Sequence, residues 1–334
     1  MWFFLYLLDN AGNASIIVVM TKDEVLSILR SSEGEFVSGE ELARELDLSR
    51  MSINKAVKSL QEEGFKIEAV SKKGYRLLSF DVYNQRSMTE ALPDIKVFYY
   101  DEYEGSSNNE AKRLASTVDG PFAVVVNTQT GGKGRLGRHF SSPEGGVYFS
   151  LVLPSEMCGE IDLITTRAAL AVSKAIDKVC GVETSIKWVN DIYLGNRKCV
   201  GILTEGIVNL ELGGLDKVII GVGINLNSTL SDFPEDLHDI LTTIKDQTGH
   251  EDSKLEMLKV AIEEIVGIQK ESFIEEYRKR SFVLGNPVWV IRNGERVAAD
   301  AIDVDEKAHL VVRYLDGRVE HLSSAEVSLR LRNN

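Results

Sequence analysis

Apolar positions in the first quarter of the chain follow helical spacing and then strand spacing. Between residues 22 and 64 they recur at intervals of three and four, which predicts helices. Ser38 begins a capping box that opens the second of these helices, and Ser49 can cap a third. Residues 65–78 then alternate as two strands around a lysine-containing turn. The region is predicted to be three short helices followed by a β-hairpin.

The rest of the chain alternates between strand and helix spacing, which predicts an α/β region followed by an all-β one. Strands are predicted at 97–100, 123–127, 147–153 and 218–227, a hairpin at 186–205, and helices at 109–116, 161–179 and 253–280. From residue 283 onward, short apolar runs are separated by turns rich in Gly and Asn, a pattern typical of a small β-barrel. Residues 80–92 are predicted to be a linker.

The first twenty residues differ from this pattern. The apolar runs 2–8 and 16–19 are each too short to span a bilayer, and the absence of Lys or Arg before Lys22 goes against a secretory signal. We interpret residues 1–20 as an extension, with the functional chain beginning at Met20. The alternative is a small hairpin packed on the next domain. No membrane association is expected.

Composition and charge narrow the classes of function. With 334 residues, 43% of them hydrophobic, the chain can form two or three domains with their own cores. The net charge of -13 opposes nonspecific attraction to nucleic acid, so any DNA contact must come from a local basic face. Cys158, Cys180 and Cys199 lack metal-ligand spacing, which indicates a reducing, cytoplasmic location and no structural zinc.

The third predicted helix and the turn of the hairpin form such a basic face. Between residues 50 and 76, seven cations stand against three anions. This arrangement is typical of a winged helix-turn-helix, whose third helix enters the major groove while the wing contacts phosphate. The residues expected to contact DNA are Arg50, Ser52, Asn54, Lys55, Lys58, Lys72 and Lys73. The alternative is a helical interaction domain with a solvated basic face.

The segment from Thr130 to Arg138 has the composition of an anion-binding loop. It contains four glycines and three cations directly after an apolar run. Glycines let consecutive backbone N–H groups converge on one ligand, and the cations add charge. A dinucleotide-binding motif is excluded because residues 139–146 cannot start the required helix, and a phosphate loop because Arg138 stands where Lys is needed. A solvated flexible loop is the alternative.

The predicted hairpin at 186–205 combines apolar runs with charged residues. Lys187 lies within one of these runs, and a lysine is rarely buried without an anionic partner. It either forms a structural pair with Asp191 or is aimed at an anion of a ligand. The strand at 218–227 ends in glycines and in two amides, Asn225 and Asn227, which suits close approach of a ligand to the backbone.

Three separated segments resemble those of biotin protein ligases, in the same order and spacing. They are Gln129–Arg138, Lys187–Asp191 with the later Gly201–Leu203, and Gly221–Leu226. The winged helix in front of them and the barrel behind resemble the bifunctional class, whose members are also biotin-operon repressors. The similarity covers about residues 22 to 330.

The resemblance implies a fold and a reaction. The fold is α+β and multidomain: a winged helix-turn-helix at 21–80, an α/β ligase domain at 81–282 with a mixed sheet like that of class II aminoacyl-tRNA synthetases, and an SH3-like β-barrel at 283–334. Biotin, ATP and Mg²⁺ give biotinyl-5'-AMP, from which biotin passes to a lysine of a carrier domain, usually of acetyl-CoA carboxylase. Operator DNA is the other partner, bound by a homodimer that carries the adenylate. The alternatives are a biotin sensor without catalysis and a lipoate-type ligase.

The resemblance also implies roles for individual residues. Lys187 and Arg135 are expected to be catalytic, because a carboxylate that attacks a phosphate needs cations to offset the charge. The expected biotin-binding residues are Ser106, Ser107, Asn108, Gln129, Lys133, Gly134, Arg135, Lys187 and Gly201. The expected nucleotide-binding residues are Arg135, Arg138, Phe140, Asn190, Lys198 and Asn225. Asp191 is the candidate that assists proton loss from the acceptor lysine or orients Lys187.

The sequence departs from the family pattern at several of these positions. Lys133 stands where arginine is usual and loses its bidentate fork. Val189 replaces a customary proline, and Phe140 stands where some members have a tryptophan that stacks on adenine. The departures bear on affinity and leave the reaction itself unchanged.

Overall fold

The computed structural model describes residues 14–32, 34–78, 82–209, 214–268, 273–292, 294–323 and 326–329. The chain divides into two compact units, Met1–Asn84 and Gln85–Asn334. Residues 1–13 of the predicted extension lie outside the described residues. Among the described residues, no helix combines the length and hydropathy that a membrane span needs.

The first unit is a winged helix-turn-helix. Its elements are α1 (Ala14–Ser31), α2 (Gly39–Glu45), α3 (Arg50–Glu62), β1 (Ile67–Val70) and β2 (Gly74–Leu77). Ser38 and Ser49 cap α2 and α3, each accepting a backbone N–H three residues ahead. The two strands pair antiparallel, with Ile67 opposite Leu77. The predicted order of helices and hairpin is confirmed.

The core of this unit uses the apolar faces that the sequence predicted. Its fully buried side chains include Leu29, Leu42, Ile53 and Leu60, one or more from each helix. The first helix starts earlier than expected, however. Because α1 begins at Ala14, residues 14–20 are helical and continuous with the domain, which contradicts the alternative hairpin for this part of the extension.

The second unit is built on a mixed sheet. Its helices and strands up to residue 224 are α4 (Gln85–Ala91), β3 (Lys96–Tyr103), α5 (Ser107–Leu114), β4 (Phe122–Gln129), β5 (Val147–Pro154), α6 (Ile164–Cys180), β6 (Ser185–Lys187), β7 (Asp191–Leu194), β8 (Arg197–Asn209) and β9 (Gly214–Ile224). The sheet order within the described residues is β3-β4-β5-β9-β8-β7-β6. Only the described pair β3–β4 is parallel. The predicted mixed sheet is confirmed.

Two predictions differ from the structure: a linker at 80–92 and a single helix at 253–280. The predicted linker at 80–92 contains α4, whose Met88 is fully buried, so this segment packs as part of the second unit. The single helix predicted at 253–280 is described as α8 (Lys254–Ile268) and α9 (Ile274–Arg280), preceded by the short helix α7 (Ile244–Thr248). Both longer segments are helical, as their apolar spacing predicts, but this spacing does not mark the break between them.

The C-terminal part is an antiparallel sheet. Its strands are β10 (Pro287–Arg292), β11 (Glu295–Val304), β12 (Leu310–Tyr314), β13 (Val319–Leu322) and β14 (Glu326–Leu329), in the order β13-β12-β11-β10-β14. Among the described residues, no pairing of β13 with β14 closes this sheet into a barrel. The C-terminal part contacts the segment between β6 and β7 through Trp188, whose indole Nε1 donates to the carbonyl of Ala308, between β11 and β12, at 2.9 Å.

Candidate functional site

The glycine-rich loop is folded back on itself behind β4. Gly134 N–H donates to the Arg138 carbonyl at 2.7 Å, and Phe140 N–H donates to the Gly132 carbonyl at 2.9 Å. Gly132 is required here, because a Cβ at this position would lie 2.2 Å from the Phe140 carbonyl oxygen. The tip of the loop presents Leu136, which is 78% exposed and has a φ of 57°. This backbone holds the cationic side chains of the loop over the sheet.

The cations of the loop contact polar residues of other elements. Arg135 is half-buried, and its Nη1 donates to Asn190 Oδ1 at 3.1 Å. Lys133 Nζ donates to Asn109 Oδ1, at the start of α5, at 2.8 Å. Asn190 in turn is buried and donates through Nδ2 to the Ile202 carbonyl at 2.8 Å. The loop is therefore connected through side chains to both α5 and β8.

The β6–β7 hairpin supplies Lys187 and Asp191, which face each other as ladder partners. The Asp191 carboxylate lies 2.7 Å from Lys198 Nζ on β8, so a structural ion pair is present, with a cation from the next strand. Lys187 is half-buried, and its Nζ lies 5.9 Å from the centroid of the Tyr193 ring. The structure thus gives Asp191 a partner that the sequence did not suggest.

The loop and the hairpin enclose one cavity, here called the cationic cleft. Its charged lining residues are Lys133, Arg135, Arg138, Lys187, Asp191 and Lys198. Five cations and one anion converge from segments that lie up to 65 residues apart in the sequence, from 133 to 198. A cavity with this balance of charge is suited to a polyanion such as a nucleotide.

A second, narrower cavity adjoins the cleft and is here called the polar slot. It is lined by Ser106, Ser107, Asn108, Gln129, Gly221 and Gly223, and it shares Lys133, Phe140, Gly201 and Leu203 with the cationic cleft. Ser107 N–H donates to Gln129 Oε1 at 2.9 Å, and Gln129 Nε2 donates to Ser142 Oγ at 3.0 Å. Ser106 caps α5 by accepting from Asn108 N–H at 3.2 Å. The slot therefore combines serine hydroxyls with a carboxamide of fixed orientation.

The helix that carries these serines is anchored on β3 by Glu110. Tyr100 and Tyr103 donate their hydroxyls to its carboxylate at 2.7 and 2.9 Å, and the Arg113 guanidinium donates at 2.6 Å. The hydrogen bond from Arg113 outweighs the opposing effect of burial and, together with the tyrosines, lowers the pKa of Glu110 to about 2. The anchor is therefore ionised throughout the neutral pH range.

Phe140 lies at the junction of the two cavities. A Cβ at Gly201 would approach its ring to 2.8 Å and one at Gly223 to 2.4 Å, so these glycines make room for the ring on the sheet. The Lys198 ammonium lies 6.0 Å from the ring centroid. The residue that resembles an adenine-stacking position thus contacts both the slot and the cleft.

The structure brings together most of the predicted site residues. Asn225 is the exception among them: it is 3% exposed, it donates through Nδ2 to the Thr242 carbonyl at 3.2 Å, and it is absent from the described lining of both cavities.

Sequence reasoning missed Ser142, Ser150 and Glu205, which contact the slot residues directly. The available signal was the polar Ser150 in the middle of the apolar strand β5.

The first unit presents a separate basic surface on α3 and on the turn between β1 and β2. Lys55, Lys58, Lys72 and Lys73 are exposed there, and Lys72 occupies the turn with a φ of 68°. The other predicted DNA contacts are also on α3: Arg50 pairs with Glu40 at 2.6 Å, Ser52 lies 2.9 Å from the cap Ser49, and Asn54 Nδ2 donates to the Tyr75 hydroxyl at 3.3 Å. A groove lined by Arg50, Asn54 and Lys72 separates the helix from the turn.

Two family profiles match the chain. The profile of the Biotin/lipoate A/B protein ligase family matches residues 104–225, and that of an HTH domain matches residues 21–76. The first match contains the polar slot and most of the cationic cleft, and the second contains α2, α3, β1 and all of β2 except Leu77.

Individual relatives match over larger parts of the chain. It is 35% identical over 238 residues to the bifunctional ligase/repressor BirA of Bacillus subtilis (strain 168), which covers 68% of this chain and 72% of the relative. It is 24% identical over 308 residues to the bifunctional ligase/repressor BirA of Escherichia coli (strain K12), which covers 90% and 94%. The solved biotin protein ligase from Aquifex aeolicus in complex with biotin and ATP aligns with a TM-score of 0.59 and 29% identity, covering 70% of this chain and 98% of that one.

Proposed function

The chain belongs to the family of bifunctional biotin protein ligases that are also biotin-operon repressors, and we propose that the polar slot and the cationic cleft together form its ligase site. The protein activates biotin with Mg-ATP to biotinyl-5'-AMP, and transfers biotin to a lysine of the carrier domain of acetyl-CoA carboxylase. As a repressor it binds DNA through its helix-turn-helix. The relatives reported above are ligases, which goes against a sensor without catalysis.

One observation carries the assignment of the site. A slot lined with hydrogen-bonding groups of fixed orientation opens into a cleft of five cations, and Lys133, Phe140, Gly201 and Leu203 belong to both. Biotin has a polar ureido head group, an apolar chain and a carboxylate, so its head fits the slot while its carboxylate faces the cleft. The triphosphate of ATP is the polyanion that the cleft accommodates.

The cleft can lower the barrier to adenylate formation through electrostatics. The attack of the biotin carboxylate on the α-phosphate brings two anions together, and negative charge accumulates as pyrophosphate leaves. Lys187 from β6 and Arg135 from the loop supply positive charge from two sides of the cleft. Neither residue needs to form a covalent bond, because the carboxylate itself is the nucleophile and the carrier lysine is the later acceptor.

The loop is well suited to cover the intermediate. Its tip carries the exposed Leu136, and Arg135 and Lys133 reach from it to Asn190 and Asn109. Held there, the loop excludes water from the mixed anhydride, which would otherwise be hydrolysed.

For the second step, the carrier lysine must lose a proton. Asp191 lies in the cleft and is the carboxylate that can assist this loss, directly or through Lys198.

The ligase assignment is tested with the purified protein, Mg-ATP and a carboxyl carrier domain. Pyrophosphate release should depend on biotin, and mass spectrometry should show a biotinyl group on one lysine of the carrier. Lipoate, which lacks a ureido group, should give no release above the control without biotin. Release that is independent of biotin, or stimulated equally by lipoate, would refute the assignment of the slot.

We propose further that biotinyl-5'-AMP is the corepressor and favours a homodimer whose two winged helices contact a palindromic operator. The support is that one chain combines an adenylate site with a basic α3 and wing. A symmetric dimer matches a DNA site with two half-sites. The coupling is reciprocal, so that operator DNA must also strengthen adenylate binding.

Repression is tested by gel-shift titration of operator DNA with and without biotinyl-5'-AMP, together with sedimentation. The adenylate should raise operator affinity by about tenfold or more, in the range of ordinary allosteric coupling. Replacing Lys72 and Lys73 with Ala should weaken binding to all DNA sequences alike, and it should reduce the salt slope by about one for each phosphate that these lysines neutralise. Equal affinity with and without the adenylate would contradict the corepressor role.

Finer features of the architecture are proposed on the same basis. The strand order β13-β12-β11-β10-β14 is the order of an SH3-like barrel that lacks its closing pair, and we propose this fold for residues 283–334. A mixed sheet like that of class II aminoacyl-tRNA synthetases suits a site that activates a carboxylate with ATP. The division at 80/81 and 282/283 stays a prediction.

A further inference from the structure

The helix α3 presents an apolar side chain to solvent in its first turn. Met51 is 81% exposed, the highest value for a large hydrophobic side chain in the described part of the chain. Single exposed apolar residues are common on protein surfaces, so exposure alone says little about function. What distinguishes Met51 is its place on the helix that is expected to contact DNA.

Met51 belongs to the row of α3 that points directly away from the core. The buried side chains of this helix are Ile53, Ala56, Val57 and Leu60. With about 3.6 residues per turn, positions spaced by four, three and four from residue 51 lie opposite that buried face. This set, here called the outer row, consists of the exposed residues Met51, Lys55, Lys58 and Glu62. Met51 is the apolar member of the row.

The charges along the outer row indicate which end of α3 approaches DNA. Lys55 and Lys58 attract phosphate groups, whereas Glu62, the last residue of the helix, repels them. The first turn of α3 contains no acidic residue, and the positive end of the helix dipole lies there. The N-terminal half of α3 is therefore the part that lies nearest the bases, as in other helix-turn-helix proteins.

The backbone that carries Met51 is held in place before DNA binds. Ser49 caps the helix by accepting from the Ser52 N–H at 3.1 Å, and Ile53 is fully buried. Asn54 is tied to the wing, since its Nδ2 donates to the Tyr75 hydroxyl at 3.3 Å. A contact made by Met51 is therefore not offset by the cost of ordering this turn.

The chemistry of the major groove offers a methionine one specific partner. The edges of the bases present hydrogen-bond donors and acceptors there, and thymine adds its C5-methyl group. The unbranched thioether of Met51 has no donor and adapts its shape to an apolar neighbour. Lys55 and Lys58 contact phosphate in any sequence, so Met51 is the member of the outer row that can distinguish one base from another.

We propose that Met51 is a specificity-determining residue of the repressor, which contacts the C5-methyl group of a thymine in each half-site of the operator. The inference rests on the proposed function, since it assumes that α3 of each protomer lies in the major groove. The contact removes the methyl group and the thioether from water. Burial of one methyl group should favour thymine over the same base without it by about fourfold at each half-site.

The test removes the methyl group of thymine and nothing else. A duplex is first obtained from a random-sequence pool by repeated selection with the full-length protein, biotin and Mg-ATP. Each thymine of this duplex is then replaced in turn by deoxyuridine, which pairs with adenine but lacks the C5-methyl group. In gel-shift titrations with the wild-type protein, replacement of at least one thymine in each half-site should lower affinity by about fourfold.

Three variants separate this contact from general DNA binding. Met51→Ala removes the thioether and should bind the thymine and deoxyuridine duplexes with equal affinity at that position. Met51→Leu stays apolar and should keep most of the preference for thymine. Lys58→Ala is the matched control from the outer row: it should weaken binding of both duplexes by the same factor and leave their ratio unchanged. Because both side chains are exposed, circular dichroism and thermal unfolding should match the wild type.

Two results would overturn the proposal. One is a preference for thymine that persists unchanged in a folded Met51→Ala protein, and the other is a wild-type protein whose affinity no deoxyuridine replacement lowers. A selection in which the wild-type protein enriches no duplex would instead refute the proposed repressor function.

Discussion

Replacing Lys187 with Ala should reduce biotin-dependent pyrophosphate release by about a hundred- to a thousandfold, the loss expected when one charge-stabilising group is removed from a transition state. Lys187 lies on β6 in the lining of the cationic cleft, where the carboxylate and the α-phosphate must approach each other. Biotin binding should change little by comparison, because the ureido group is held in the polar slot. The measurement is single-turnover pyrophosphate release, with biotin affinity determined separately by calorimetry.

The fold should survive this substitution. Lys187 is half-buried and its ammonium lies 5.9 Å from the Tyr193 ring, a contact worth about 0.5–1 kcal/mol. Lys178→Ala is the matched control, because this lysine is exposed and pairs with Glu264 on α8, away from the cleft. It should keep wild-type activity. Near-normal pyrophosphate release by a folded Lys187→Ala protein would contradict the catalytic role.

Replacing Gly221 with Ala should raise the dissociation constant for biotin by about ten- to a hundredfold, the equivalent of a steric cost of about 1–3 kcal/mol. A Cβ at this position would lie 2.2 Å from Asn108 Oδ1. Neither side can move easily: Gly221 is paired with both β5 and β8 in the middle of the sheet, and Asn108 is held by Ser150 and Glu205. The added methyl group must displace the carboxamide and with it Ser107.

The control is Gly267→Ala, an exposed position on α8 where a Cβ would meet no atom within 4 Å. Alanine is favoured over glycine in a helix by about 1 kcal/mol, so this change should raise the melting temperature and leave biotin affinity as it is. Calorimetry and thermal unfolding of both variants check the prediction. A Gly221→Ala protein with wild-type affinity would show that the carboxamide of Asn108 does not position the slot.

The winged helix could be predicted almost completely from the sequence, because its signals are local. Ser38 and Ser49 bond to N–H groups three residues ahead of them, and the apolar faces of the helices repeat within a few positions. The same holds for the turns of the C-terminal sheet. Such signals do not reveal that a segment with weak periodicity is helical and packed. The example is α4, which was predicted to be a linker but whose Met88 is buried by neighbours in the second unit.

The candidate site was only partly predictable. Its glycines and cations stand in compact motifs, which the resemblance assigned to a family, and most of them line the slot or the cleft. The partners of these residues come from elsewhere in the chain: Asp191 pairs with Lys198 on the next strand, and Asn225 is buried against Thr242. No local pattern reports which strand will lie beside which.

The sequence by itself determined the types of the elements, the winged helix, the glycine-rich loop with its cations, and the family. Only the tertiary structure decided that Ser150, on β5, and Glu205, on β8, meet at Asn108 from α5, in a row of hydrogen-bonded side chains that also includes Ser107. The physical reason is that helix caps, turns and periodicity depend on residues close in sequence, whereas this row depends on the register that places Ser150 and Leu203 on either side of Gly221. The direction of a hydrogen bond is likewise set by the partner, and the partners here are separated by as many as 97 positions.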